Sequence, residues 1–350
     1  METIQAVFWN PTERRLRTAW RLLAQLMFIV LGLVCFGVLT AIIGVIQSTA
    51  GGLTEESFPS PGSVALTMER PALMMLSSLG TLGMILLSVV VAGRFVDRRP
   101  FADFGFHLEA TWWRDLGFGL GLGALLMALI FLVEWTLGWV EVVGTLHVSR
   151  AGFSFAGAIL FQVVTYLSVG FYEELFSRGY QLQNLAEGFR GAFGPRGAIA
   201  AAWLLSSTFF GILHAANPNA SLMSTVNLVI AGLFLGLGYV LTGELAIPIG
   251  LHITWNFFQG NVFGFPVSGG PSAVSFIAVK QGGPALWTGG AFGPEAGLLG
   301  LAAMTVGSLL TMLWVRRQRG RVVLQRELAT YRPLPQLKAQ EAESPEATDG

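Results

Sequence analysis

Eight stretches of this chain are apolar for the length of a bilayer crossing, and that constrains the fold more than any single motif. A helix needs about 20 mostly apolar residues to cross hydrocarbon, where its backbone polar groups can bond only to one another. The candidates are Leu22–Ile46, Pro71–Gly93, Leu116–Val140, Phe155–Phe176, Ala198–His214, Leu222–Thr242, Leu245–Val262 and Gly297–Val315. Only 12% of the 350 residues are charged, against about 25% in a water-soluble domain, so much of the surface is expected to face lipid. The 44 glycines suit close backbone approach between membrane helices. The expected class is all-α, a polytopic membrane bundle of about eight transmembrane helices. It forms one domain over residues 1–320, with a motif core at 155–264, and membrane lipid is its first partner. Residues 321–350 read as a polar, acidic-ending, disordered tail.

A formal net charge of zero gives no reason to expect nucleic-acid binding. The single cysteine, Cys35, allows neither an intramolecular disulfide nor a cysteine-based metal site. The first apolar run exceeds the roughly 7–15 residues of a signal-peptide core and reads as a retained span. Basic residues set the orientation. With a cytoplasmic N-terminus, the inner segments hold Arg14, Arg15, Arg17, Arg21, Arg94, Arg98, Arg99, Arg114, Arg190, Arg196 and the basic residues from Arg316 to Lys338. The outer segments hold only Arg70, Arg150 and Lys280. Both termini are therefore expected in the cytoplasm, in a membrane taken to be the bacterial cell membrane. Gln47–Arg70 and Gly264–Ala296 fall outside, the second too rich in Gly and Pro for regular structure.

Ionisable groups inside a span cost roughly 2.5–3.5 kcal/mol each by insertion scales, so those present usually pair or do chemistry. They concentrate in three spans. In the fourth, Glu173 and Glu174 are adjacent, about 100° apart around a helix, and cannot face one partner. Arg178 lies four residues after Glu174 on the same face. Arg178 is thus expected to hold Glu174 ionised, leaving Glu173 for a cavity; a structural ion pair is the plainer reading. In the fifth, His214 closes the span after Phe210. A lone histidine there also suits an interfacial position. In the seventh, His252 and Asn256 at i and i+4 project together, either as an interhelical polar clamp or as a pair that binds a carbonyl oxygen. Together these groups supply a base, an orienting pair and oxyanion donors. No Ser or Cys nucleophile is paired with a base, so water is the expected attacking species.

Glu173-Glu174-x-x-x-Arg178, Phe210-x-x-x-His214 and His252-x-x-x-Asn256, in this order, resemble the motifs of the CPBP family. That family includes type II CAAX prenyl endopeptidases and bacteriocin-processing enzymes. The resemblance covers Phe155 to Gly264 and implies an eight-span intramembrane endopeptidase acting on protein or peptide substrates, some of them lipidated. It also implies that Glu173 activates water with help from His214, that His252 and Asn256 stabilise the oxyanion, and that Glu174 and Arg178 support them. By residue type, Glu173, His214 and His252 could instead hold zinc, although no His-Glu-x-x-His helix is present. A metal-free, Glu-activated water and a zinc-bound water both remain open. Two other classes compete: a non-catalytic immunity or assembly protein of the same fold, and a proton-coupled transporter.

Simple threading leaves one difficulty. At 1.5 Å per residue, Glu173 and His214 rise about 21 and 26 Å from their shared inner hairpin, but His252 only about 12 Å from Glu244. One remedy is that Ala215–Asn219 is not an outer loop but an irregular stretch beside a cavity. Glu134, late in the third span, reads as interfacial, and Trp112 as an interface anchor.

Overall fold

Uninterrupted apolar runs form helices whose ends follow local chemistry. The computed structural model describes residues 7–49, 71–149 and 153–332. Its helices are α1 (Thr18–Thr49), α2 (Pro71–Val91), α3 (Ala110–Thr136), α4 (Phe155–Glu174), α5 (Gln183–Leu213), α6 (Leu222–Thr242), α7 (Ala246–Phe257) and α8 (Leu298–Arg319). The Ser154 side chain caps α4 by accepting from the Gly157 N–H, which satisfies one of the orphan donors of the first turn. Ser221 and Ser224 form a reciprocal capping box on α6, and Gly243 ends that helix at φ 78°. Of the expected outer loop Gln47–Arg70, residues 47–49 belong to α1, and residues 50–70 lie outside the described residues.

Among the described residues, six helical runs are long and apolar enough to cross a membrane: Thr18–Val38, Pro71–Asp97, Ala110–Thr136, Phe155–Ala216, Leu222–Thr242 and Leu298–Arg319. The protein is an integral, multi-pass helical membrane protein. The eight expected stretches map onto these runs differently at two places. The fourth and fifth stretches lie in one helical run, broken at Gly194 (φ 66°, ψ 173°) just before Pro195. The seventh stretch is α7, only 12 residues long, extended by a π-helical turn over Phe258–Val262. In the most apolar 18 residues of each run, between 17% and 39% are buried in five of the spans, but 72% in α6, which makes α6 the central helix.

Beside the helices, the described residues hold two short β ribbons. Strand β1 (Trp9–Asn10) pairs with β2 (Arg15–Leu16), and β3 (Val140–Val148) pairs antiparallel with β4 (Val274–Gln281). Strand β4 lies in Gly264–Ala296, expected to be irregular. Its Val-Ser-Phe-Ile-Ala-Val run suits a strand, but its backbone partner lies far away in sequence. Of the polar tail, Arg321 to Arg332 is described: Arg326–Ala329 forms a 3-10 turn with Leu328 and Ala329 buried, and residues 333–350 lie outside the described residues. Glu134 is fully buried and accepts from Gln281 Nε2 at 2.9 Å, which replaces the interfacial reading. Trp112 also turns inward, donating to the Gly105 carbonyl.

The segments between helices gather at two ends. At one, Arg15 and Arg21 from the N-terminal segment meet Asp97 and Arg99 after α2 and Glu187 on α5. Tyr331 near the C-terminus stacks on Arg15, and His107 bonds Glu244 in the α6–α7 turn. At the other end lie the β3–β4 ribbon and the bonds from Asn217 and Asn219 to the 268–269 backbone. The first group contains the segments that the basic-residue bias assigns to one side.

Glycine contacts set the motif helices. A Cβ on Gly119 or Gly123 of α3 would overlap the carbonyls of Ile247 or Leu251 on α7, and one on Gly250 of α7 would overlap the Leu116 carbonyl of α3. On α4, Gly170 abuts Ile253 of α7, and on α5, Gly211 abuts Val229 of α6. Small residues let membrane helices approach backbone to backbone. Here they do so within a turn of Glu173, His214 and His252.

Candidate active site

Three helices deliver the motif side chains to one cavity of about 460 Å³. Its lining includes Glu173 of α4, Phe210 and His214 at the end of α5, and His252, Trp255 and Asn256 of α7. Apolar walls come from Met74 and Ile85 of α2, Leu228, Phe234 and Leu235 of α6, and Met304 of α8.

Glu174 and Arg178 lie behind this surface, both essentially inaccessible. Arg178 Nη1 donates to Glu174 Oε1 at 2.9 Å, the expected i,i+4 pair, and Nη2 donates to the Gly232 carbonyl of α6 at 2.9 Å. Helix α4 passes into a π-helical segment, Leu175–Leu182, immediately after Glu174. Such wider turns recur at functional sites, where they re-aim side chains. The guanidinium carbon of Arg178 stands 4.7 Å from the Phe210 ring centre. This cation–π contact ties the first motif to the second.

Sequence reading left Glu174 with Arg178 alone. In the fold, Glu174 Oε1 also bonds His252 Nδ1 at 2.7 Å. An ionised carboxylate only accepts, so Nδ1 carries the hydrogen. In the neutral ring Nε2 then holds the lone pair, and it faces Glu173 Oε2 at 3.8 Å, beyond hydrogen-bond distance. His214 is oriented in the same sense: its Nδ1 bonds the Phe210 carbonyl at 2.8 Å, so Nδ1 donates and Nε2 is the free nitrogen. Glu173 is the accessible carboxylate, with 22% of its side chain exposed.

Phe210, overlooked as a site residue, is the hub. Its ring centre lies 4.6 Å from that of His214 and 6.2 Å from that of His252. Its place in Phe-x-x-x-His was the signal that could have found it. The depth difficulty has a physical resolution. Glu244 in the α6–α7 turn reaches the charged end, but the next residues, Leu245 and Ala246, are fully buried and the Leu245 N–H bonds the Gly105 carbonyl. Helix α7 therefore starts inside the protein, and counting rise from Glu244 underestimates the height of His252. Asn217, in the stretch read as beside a cavity, does line it.

The zinc reading meets a geometric obstacle. Glu173, His214 and His252 have suitable donor atoms and share the cavity, but among the described residues no three such side chains are grouped to hold a metal ion. The chemistry derived from this set rests on side chains and water.

Comparison with known families matches residues 155–258 to the type II CAAX prenyl endopeptidase Rce1-like family. That interval contains every motif residue named above. No curated protein and no solved structure matches the chain.

Proposed function

Since residues 155–258 belong to the type II CAAX prenyl endopeptidase Rce1-like family, we propose that the protein is an intramembrane endopeptidase that hydrolyses membrane-associated or lipidated protein substrates. The observation that carries this reading is the convergence of Glu173, His214, His252 and Asn256 on one cavity with apolar walls. Such walls suit an acyl or prenyl chain, or an apolar peptide segment, beside the scissile bond.

In the proposed reaction a water held between Glu173 and His214 attacks the peptide carbonyl carbon. Glu173 takes the water proton as general base. The oxyanion is held by the Asn256 amide N–H and by His252. The bond from His252 Nδ1 to Glu174 imposes a condition: Nε2 donates to an oxyanion only while it carries a second proton. Glu174, fixed by Arg178, faces that ring from behind and Glu173 from in front. The proton on Glu173 then passes to the leaving amine as the C–N bond breaks.

Two groups of connecting segments at opposite ends of the bundle support eight crossings, with α4, α5 and α7 counted separately. The basic-residue bias supports a cytoplasmic location for the end that holds Arg15 and Tyr331, in a bacterial cell membrane. The test is comparative proteomics of membranes that carry the wild-type protein or the Glu173→Ala form. An endopeptidase leaves a substrate set uncleaved in the variant while the variant accumulates normally. An immunity or assembly protein keeps its function, and a proton-coupled transporter alters solute flux without changing protein termini.

A further inference from the structure

Glu295 lies outside the family-matched interval and has no part in the chemistry above, yet it is a fully enclosed carboxylate on the wall of the same cavity. It sits in the 3-10 turn Pro294–Ala296, just before α8. Its Oε1 accepts from the Ser268 N–H at 2.5 Å, and its Oε2 accepts from Gln259 Nε2. That same Gln259 nitrogen also donates to the Pro266 carbonyl at 2.6 Å. The first bond ends in the reverse turn Val267–Gly270 and the last on Pro266 just before it; the first and last residues of the turn exchange backbone hydrogen bonds of 2.9 Å. The two central residues are left-handed, Ser268 at φ 48° and Gly269 at φ 85°, as a tight type I′ turn requires. Serine is strained there, and such a conformation persists only when the surroundings hold it.

The turn reaches the second motif directly. Asn217 Nδ2 donates to the Ser268 carbonyl at 3.0 Å, and Asn219 Nδ2 to the Gly269 carbonyl at 3.0 Å. The Asn217 N–H donates in turn to the His214 carbonyl at 3.1 Å. Gly269 packs so tightly on the Pro218 carbonyl that no Cβ fits. A chain of short bonds thus runs from Glu295 through Ser268 and Asn217 to His214.

We propose that Glu295 is a positioning residue whose carboxylate clamps the Val267–Gly270 turn as a wall of the cavity and, through Asn217, fixes the end of the helix that carries His214. The role rests on the endopeptidase reading, but the clamp can be tested without it.

The clamp requires an ionised carboxylate, because each oxygen accepts from an N–H. Protonation turns one oxygen into a donor, so either the Ser268 bond breaks or the Gln259 amide must rotate. Rotation would let the now unpartnered Gln259 Oε1 accept the new hydrogen, but it would strip the donor from Pro266. Burial pushes the Glu295 carboxyl up to about 7, against the opposing effect of its bonds to the Ser268 backbone and Gln259. The titratable groups sharing the cavity are Tyr166, Tyr172, Glu173, His214 and His252. The packed faces of α6, the start of α8 and the turn Ala285–Thr288 carry no charged side chain. The clamp therefore forms as pH rises through about 7 and loosens below it.

The decisive experiment is hydrogen–deuterium exchange of the peptide containing Ser268 and Gly269, in the full chain in nanodiscs, at pH 6 and pH 8. Intrinsic exchange rates are corrected for, and cleavage is measured in parallel. In the wild type, exchange should be about tenfold faster at pH 6, the loss of roughly one hydrogen bond. Glu295→Gln, which keeps the shape but cannot accept at both atoms, should exchange fast at both pH values. It should also lower kcat more than it raises KM and remove a limb near pH 7 from the pH profile. Glu295→Ala should do the same more strongly; if it does not accumulate, the Gln variant and the wild-type pH comparison still decide. Unchanged exchange in Glu295→Gln overturns the clamp. Faster exchange with unaltered cleavage overturns the positioning role. If the wild type cleaves no substrate while exchange behaves as expected, the endopeptidase reading fails and the positioning role falls with it, but the clamp stands.

Discussion

Two clusters of buried charge lie in different parts of this molecule, and one of them opens onto the cavity described above. In the closed cluster, Arg15, Arg21 and Arg99 converge on Glu187, with Arg15 at 2.7 Å and Arg21 at 3.1 Å. Tyr180 donates to Asp97 at 2.7 Å, and Tyr331 stacks on Arg15. Its charges face one another, and it ties the N-terminal segment, the α2–α3 connection, α5 and the C-terminal segment together. In the open cluster, Glu174 is engaged by both Arg178 and His252, while Glu173 stands 3.8 Å from His252 and faces the cavity. Burial of charge is common to both. What separates them is a carboxylate and two imidazole nitrogens directed at space a substrate could enter.

That contrast is breakable. The largest expected effect is on Glu173→Ala, which should lower the cleavage rate about 100- to 10,000-fold, the span of general-base contributions, without changing the melting temperature in detergent. Equal loss of stability would make Glu173 another structural ion. Glu187→Ala should do the reverse. It removes the carboxylate shared by three enclosed arginines, and breaking a buried pair costs about 3–5 kcal/mol, so the melting temperature and membrane accumulation should fall sharply. A stable but inactive Glu187→Ala protein would erase the distinction between the clusters.

Asn256→Ala should cost about 100- to 1,000-fold in kcat with little change in stability, as expected for one oxyanion donor; a change confined to KM would reassign Asn256 to substrate binding. The smallest effect concerns an exposed clasp at the charged end. The hydrogen bond to Glu244 raises the pKa of His107 above 6.5. A group raised on folding contributes its stability below its unfolded value and loses it as pH rises through the folded one. Stability should therefore slip slightly above pH 6.5 in the wild type and not in His107→Ala. His107 is half-exposed, so solvent screening keeps the change small, and scans of melting temperature against pH would read it.

Parts of this arrangement were legible in the residues. Arg178 four positions after Glu174 announced the ion pair, because helix pitch stacks i and i+4. The Glu174–His252 bond was not legible, since it joins residues 78 apart in sequence and depends on how closely Gly170 lets α4 approach α7. Strand β4 was missed because its partner β3 lies across four helices of intervening chain. Glu295 was missed because one acidic residue in a Gly/Pro-rich loop looks solvated until the turn it holds is seen.

The sequence by itself determined that this chain lives in a membrane, because so little charge cannot cover a water-exposed surface. It also determined which few polar residues had to find partners there, because an unpaired ion in lipid is too costly. Only the tertiary structure decided which partners they found. Helix α7 begins inside the protein, and glycine contacts set the helix spacing. Those two facts carry His252 up to Glu173 and Glu174, and no local rule of spacing or hydropathy contains either of them.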